Sequence, residues 1–404
     1  MGSSAKLGLE MFEVGPCEDA YTMGFLIGQR FSDMIKSRLA SDLILHNQLL
    51  PFAQTPEFQP LLQSLTENNR NKFPRYWEEL VGTADGSGVP VLDVITIHTW
   101  ASSEDKSSYW CSKIFVMHLF SNSFISFFFR WIILINFRKE ILPLLPKTTV
   151  MNQNIDTLDD CSDVLVVSDS MAVVAHNEDA NVALVGHTYL IKGTLSNGIS
   201  FMAYTYAGEL PSCAFGLNTH GLAFTLNSVP PSENEIVAGG IGRNFVSRDL
   251  LEASSIDDAL CRIKSSEVSV GHSYNLIETR TRKIMNVETA SRKRVSIYEV
   301  GATPFFHANM YLHLQVNQLL DENSIARQSR AAALRKRSKD NFLSLLGDTD
   351  DPKYPIYMIG PLLYTLCTAV IDLDEQTLSI VEGNPRKGKI SHIFSTCTED
   401  FKMP

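Results

Sequence analysis

The chain has 404 residues and a net charge of −10, so it is long enough to bury a substantial core and lacks the basic surplus that phosphate contacts demand. A nucleic-acid binder is excluded as a first reading. Seven cysteines (Cys17, Cys111, Cys161, Cys213, Cys261, Cys367 and Cys397) are odd in number, scattered and never spaced Cys-x-x-Cys, which points to reduced thiols rather than a disulfide framework or a zinc finger.

From the N-terminus, Met1-Gly2-Ser3-Ser4-Ala5-Lys6 has no apolar stretch of the signal-peptide kind, and Gly2 with Lys6 is a poor myristoylation pattern. Lys402-Met403-Pro404 is not a Ser-Lys-Leu address, so a cytoplasmic location is the default expectation. Helices are expected over 20–39, 58–70, 247–264 and 323–346, with Ser255 as a cap that splits the third. Val164–Val167, Met171–Ala175 and Ser200–Tyr206 read as antiparallel strands. Ile114–Ile135 is an apolar run long enough to cross a bilayer, interrupted by His118, Ser121-Asn122-Ser123 and Arg130. Three readings stand for it: a transmembrane helix, a buried strand or helix pair, or translated non-coding sequence. Tryptic peptides from 114–137 in the natural protein would rule out the last.

Arg335-Lys336-Arg337 with Lys339 reads as a solvated helix face, and Gly239-Gly240-Ile241-Gly242 lacks the Lys-Ser/Thr of a phosphate loop. His220, His307 and His313 have no ligand-like spacing with acids, so neither a metal nor another cofactor is expected.

The segment with most chemistry is Asp159-Asp160-Cys161-Ser162-Asp163, followed 18 positions after the cysteine by Asp179 in His176-Asn177-Glu178-Asp179. A cysteine at a strand start, flanked by acids, is a candidate nucleophile in need of a base. None of the ten histidines sits in a papain-like motif. Cleavage before Cys161 would supply a base of another kind, the new α-amino group, whose ordinary pKa is about 7.7–8.0.

Several separated motifs resemble the acyl-coenzyme A:6-aminopenicillanic acid (isopenicillin-N) acyltransferase family of N-terminal-nucleophile hydrolases, with bile-salt hydrolases as more distant relatives. They are the Cys161 strand with Ala175-His176-Asn177-Glu178-Asp179, the run from Gly216-Leu217-Asn218 through Gly221-Leu222-Ala223 to Asn227, and Phe306-His307-Ala308-Asn309. Ser324-Ile325-Ala326-Arg327 and Gly383-Asn384-Pro385 follow, and Met23–Gly28 and Glu78–Pro90 resemble the family's N-terminal helices. The resemblance covers roughly residues 10–105 and 155–395.

It implies an α+β fold, a four-layer αββα sandwich of two antiparallel sheets. A helical pro-segment (1–112) would be joined by an atypical apolar insert and linker (113–160) to a catalytic domain (161–404). Cys161 would be the nucleophile after cleavage between Asp160 and Cys161, Asp179 would orient its α-ammonium, and Asn227 and Asn309 would donate to the oxyanion. Arg327 or Arg330, with Asn177 and His176, would support or bind substrate. That substrate would be a small-molecule amide or an acyl-coenzyme A, with the cleaved pro-segment kept as a small subunit. Two positions depart from the family: Asp160 replaces the usual Gly, and His176 the usual Arg. The competing expectation is a non-catalytic relative that keeps the fold for binding.

Overall fold

A computed structural model describes residues 8–88, 131–146, 160–211 and 213–396. Among the described residues, fourteen strands make two sheets. The first is eight-stranded, in the order β1 (Glu10–Cys17), β4 (Thr188–Leu195), β5 (Ser200–Tyr206), β6 (Phe215–Asn218), β7 (Leu222–Ser228), β8 (His272–Glu278), β9 (Lys283–Ala290) and β10 (Arg294–Glu299). The second is six-stranded, in the order β11 (Phe305–His307), β2 (Ser162–Val167), β3 (Ala172–Asn181), β12 (Leu363–Asp372), β13 (Thr377–Glu382) and β14 (Lys389–Ser395).

Alternation along each strand builds the layers. Leu165 and Val174 face inward and share a core with Leu190, Met202 and Tyr204 of the larger sheet. Their neighbours Val164, Val173 and Ala175 face outward onto Ala331, Phe342 and Leu345. Those three belong to helices α7 (Glu322–Ala333) and α8 (Lys339–Leu346). On the far side, Tyr189, Ile191, Phe201 and Phe224 meet Met23, Ile27, Ile35, Leu80 and Phe245. That layer is built by α1 (Ala20–Arg30), α2 (Ser32–Ser41), α3 (Phe58–Lys72), α4 (Pro74–Ser87), α5 (Arg243–Leu250) and α6 (Ile256–Ser265). The fold is therefore a four-layer αββα sandwich, with two details that differ from expectation. The N-terminal stretch begins with a strand, not a helix, and β1 runs parallel to β4, whereas the other strand pairings among the described residues are antiparallel. Parallel neighbours need a long crossover, and here the helices and everything up to β3 intervene.

The N-terminal helices are fastened tightly to the rest. A Cβ added to Gly24 would lie 1.9 Å from the Glu79 carbonyl oxygen, and one added to Gly82 would lie 2.1 Å from that of Tyr21. Only glycine lets α1 and α4 approach so closely, which is the physical reason for the two glycine-spaced motifs. Glu79, fully buried on α4, receives hydrogen bonds of 3.1 and 3.0 Å from Nε of the fully buried Arg248 on α5. Buried Arg38 of α2 donates to the Ala207 carbonyl at 2.8 Å and to Glu209 at 2.5 Å. Glu79→Ala leaves Arg248 with Glu252 as its one ion-pair partner among the described residues and is expected to cost about 3–5 kcal/mol, read as a lower urea midpoint.

Part of the apolar run is core. Ile132, Ile133, Leu134, Ile135 and Phe137 are buried in the helix-to-sheet layer. Asn136 donates to the Gly208 carbonyl at 2.9 Å and accepts from the Leu210 amide at 2.9 Å. Glu140 accepts from the Arg243 amide at 2.8 Å. Residues 131–137 thus follow the buried reading, and 114–130 lie outside the described residues. Among the described residues, no helix is long and apolar enough to cross a membrane.

Candidate active site

Strands β2 and β3 pair with Ser162 opposite Asn177 and Asp163 opposite His176. The Asp160 amide continues the ladder, donating to the Asp179 carbonyl at 3.0 Å. Cys161 therefore stands across from Glu178, and its Sγ lies 3.5 Å from Glu178 Oε2. Cys161 is buried, at 3% exposure. By alternation Cys161, Asp163, His176 and Glu178 face the other sheet, while Ser162, Asn177 and Asp179 face the helices.

The inward face is polar where most sandwich interiors are apolar. His176 bridges two carboxylates, with Nδ1 2.9 Å from Asp163 and Nε2 3.0 Å from Glu178. Burial alone would lower its pKa, but Asp163 and Glu178 outweigh burial and lift it to about 10, so the ring is an imidazolium at neutral pH. Asp163 also accepts from Thr225 at 2.9 Å, and Glu178 from the Tyr206 hydroxyl. A buried charge cluster of this kind is retained at an energetic cost, which makes the place a candidate functional site.

Arg327 organises the strand start. Asp321 caps α7, accepting from the Ser324 amide at 2.7 Å, and so fixes the helix whose second turn carries Arg327. The guanidinium is fully buried. Its Nη1 donates to the carbonyl oxygens of Asp160 at 3.1 Å and Cys161 at 2.8 Å, and to Ser162 Oγ at 2.9 Å. Its Nη2 donates to Asn309 Oδ1 and its Nε to Asn323 Oδ1, both at 2.9 Å. Asn323 in turn donates to the Asp160 carboxylate at 2.6 Å.

Asn309 donates its amide to the Ser228 carbonyl at 2.9 Å. Asn227 shares a 3.2 Å contact between its Nδ2 and His307 Nδ1, and His307 sits opposite Asp163 in the β11–β2 ladder. Both asparagines are thus brought to the corner that holds Arg327 and the cysteine strand. Asn177 is not: it donates to the Leu346 carbonyl at 2.8 Å, accepts from Thr368 and fastens α8 to the sheet. Arg330, one turn after Arg327, points outward to Asp348 at 2.8 Å and Asp350. Of the two arginines offered as candidates, Arg327 reaches the cysteine strand, while Arg330, half-buried, is held by Asp348 and Asp350.

Asp179 is fully buried, accepts from the Thr365 hydroxyl through Oδ1, and has no partner for Oδ2 among the described residues. Burial pushes its carboxyl up to about 8, against the opposing pull of Thr365 and Arg327. Between the ordinary carboxylate range and pH 8 the folded chain keeps a proton that the unfolded chain has lost. Stability conferred by the protonated form is therefore complete below the ordinary carboxylate range and declines as pH rises toward 8. Asp179→Asn removes that slope: in the uncut Cys161→Ala chain, the proteins with and without Asp179→Asn are expected to have similar urea midpoints at about pH 4, and the asparagine variant a higher one at about pH 8.

Glu178, Asp163, Tyr206 and Asn323 were not singled out from sequence. Glu178 had one available signal, its position two residues from His176 on the same strand face and, by hairpin register, across from Cys161.

The family profile of acyl-coenzyme A:6-aminopenicillanic acid acyl-transferase matches residues 166–387, more than half of the chain, a span that starts just after Cys161 and includes Asp179, Asn227, Asn309 and Arg327. The chain is similar to the β-alanyl-dopamine/carcinine hydrolase of Drosophila melanogaster, at 25% identity over 394 residues, 90% of this chain and 91% of the relative. Among solved structures it is similar to a mutant of the conjugated bile acid hydrolase from Clostridium perfringens, at 12% identity and a TM-score of 0.37 over 59% of this chain and 97% of that one. A second variant of that hydrolase matches with 12% identity and the same TM-score over 58% and 96%.

Proposed function

Because the chain belongs to the acyl-coenzyme A:6-aminopenicillanic acid acyl-transferase family, we propose that it is an N-terminal-nucleophile amidohydrolase or acyltransferase, activated by cleavage between Asp160 and Cys161. One observation carries this reading: the carbonyl oxygen of Asp160 is 3.1 Å from a buried guanidinium nitrogen, on the peptide bond that precedes a buried thiol. That is the environment a thiol attack on its own preceding carbonyl needs.

In the uncut chain no α-amino base exists, and the carboxylate that touches the thiol is Glu178. Glu178 takes the thiol proton, Sγ attacks the Asp160 carbonyl carbon, and Arg327 holds the oxygen as it becomes negative. The Asp160–Cys161 C–N bond then breaks, the nitrogen leaves as an amine with the proton, and water hydrolyses the resulting thioester to regenerate the thiol and free the Asp160 carboxylate. The exposed α-amino group then serves as base for turnover, with the unpartnered Oδ2 of Asp179 to accept from its ammonium form. Turnover forms an acyl-Cys161 thioester from an amide or acyl-thioester and passes the acyl group to water or an amine, Asn227 and Asn309 donating to the oxyanion. The similarity to a β-alanyl-dopamine/carcinine hydrolase supports a small β-alanyl amide as the first substrate to try. Residues before the cut stay as a small subunit.

Intact-mass analysis of the purified protein tests the proposal. Two chains, the second starting at Cys161, are expected. A single full-mass chain that hydrolyses no amide would overturn the proposal and leave the other reading, a binding protein on the same fold, which Asp160 in place of the family's Gly favours.

A further inference from the structure

We propose that Cys161, His176 and Glu178 form a binding site for one soft divalent cation, Zn²⁺ being the natural probe, and that the bound ion holds the thiol out of reaction. One ligand atom from each residue lies within 4.8 Å of the other two, and all three residues are buried. Sγ is 3.5 Å from Glu178 Oε2, which is 3.0 Å from His176 Nε2. A tetrahedral zinc with bonds of about 2.3 Å to sulfur and about 2.0 Å to nitrogen and oxygen holds its ligands roughly 3.3–3.6 Å apart. Two of the three separations already lie within a few tenths of an ångström of that frame. A thiolate, an imidazole and a carboxylate are also the donor set zinc prefers.

The surroundings match a metal site as well as the ligands do. A metal-bound imidazole nearly always donates its other N–H to a carboxylate, which fixes its tautomer, and its carboxylate ligands are themselves hydrogen-bonded. Here Asp163 Oδ1 is 2.9 Å from His176 Nδ1, Thr225 donates to that same oxygen at 2.9 Å, and the Tyr206 hydroxyl donates to the free oxygen of Glu178. Binding expels to solvent the thiol proton and the proton shared between His176 Nε2 and Glu178 Oε2; nothing is oxidised or reduced. The ion takes the thiolate and occupies the carboxylate that touches it. The inhibitory half of this inference rests on Cys161 being the nucleophile; the binding half does not.

The test is a titration of the protein as purified, cut or uncut, with Zn²⁺ alone, read by native mass spectrometry, and with Co²⁺, read by its sulfur-to-metal charge-transfer band. The expected results are one ion per chain and a band that disappears in Cys161→Ala and in Glu178→Gln, each checked for native circular dichroism. Tyr206→Phe keeps every ligand and is expected to weaken binding about 10- to 100-fold. Cys261, an exposed thiol, serves as control, and Cys261→Ser should leave the stoichiometry unchanged. A wild type that retains no ion, or a Cys161→Ala variant that binds Zn²⁺ as tightly as the wild type, overturns the site. If an ion binds but a chelator releases neither cleavage nor turnover, the inhibitory role is overturned and the site stands. Cleavage without any ion binding leaves the enzyme reading intact and removes this one.

Discussion

Arg327→Leu is expected to slow cleavage at 160–161 by about 10²–10³ and to destabilise the fold at the same time. The guanidinium donates to two main-chain carbonyls, two hydroxyls and two asparagine side chains inside the protein. Leucine fills much of the volume but strips each of those acceptors of a donor in a place water does not reach. Removing one partner from a buried charged network costs about 3–5 kcal/mol. Losing a single oxyanion donor costs about 10²–10³ in rate. Arg327→Lys separates the two effects: it restores the charge, but an ammonium cannot reproduce the planar fork that reaches positions 160, 161 and 309 together. Urea denaturation gives the stability, and a mass-spectrometric time course gives cleavage. A leucine variant that is less stable yet cleaves at the wild-type rate would show that Arg327 only holds the corner together.

Cys161→Ala is expected to remain one full-length chain and to lose hydrolysis of a β-alanyl amide by at least about 10⁴-fold, as for removal of any sole nucleophile. Its stability is expected to fall less than that of Arg327→Leu, because the change removes one small side-chain group, whose distances to Glu178 Oε2 and the Asp179 carbonyl are 3.5 and 3.9 Å, and leaves the main-chain ladder in place. A stable, uncut and inactive variant separates chemistry from folding, which Arg327 cannot do alone. Appearance of the same two chains in the alanine variant would trace the cut to a contaminating protease and remove the main support for Cys161 as a self-acting thiol.

The strands around the candidate site were legible because their signal is local. Val164–Val167 and Met171–Ala175 are short apolar runs between turns, and they became β2 and β3. Ser255 was legible as a cap, and its Oγ accepts from the Asp258 amide at 3.1 Å. The stretch 323–346 reads as one helix by periodicity, but it is two, since the chain leaves the helix at Leu334 and restarts with Ser338 as a cap. Strand β1 was hidden because its partner is β4, far along the chain, and a parallel edge strand leaves little alternation to detect. Glu178 was overlooked because its partner is across the hairpin, and only the register of β2 against β3 places it beside the thiol. The polar row on the inner face of the larger sheet, where Thr225, Asn275 and Asn286 stand side by side, likewise needs the cross-strand register to be seen.

Strand β1 and helices α1–α4 belong to the same core as the sheet that follows Cys161. If the bond at 160–161 is cut after folding, the molecule loses the covalent tether that brought its halves together while keeping every contact between them. Its native state would then be a memory of an assembly that the separate pieces reach only by a bimolecular search. In dilute solution, unfolding would be one-way, and the lifetime of the mature protein would be set by how slowly it opens rather than by any equilibrium with its unfolded chains.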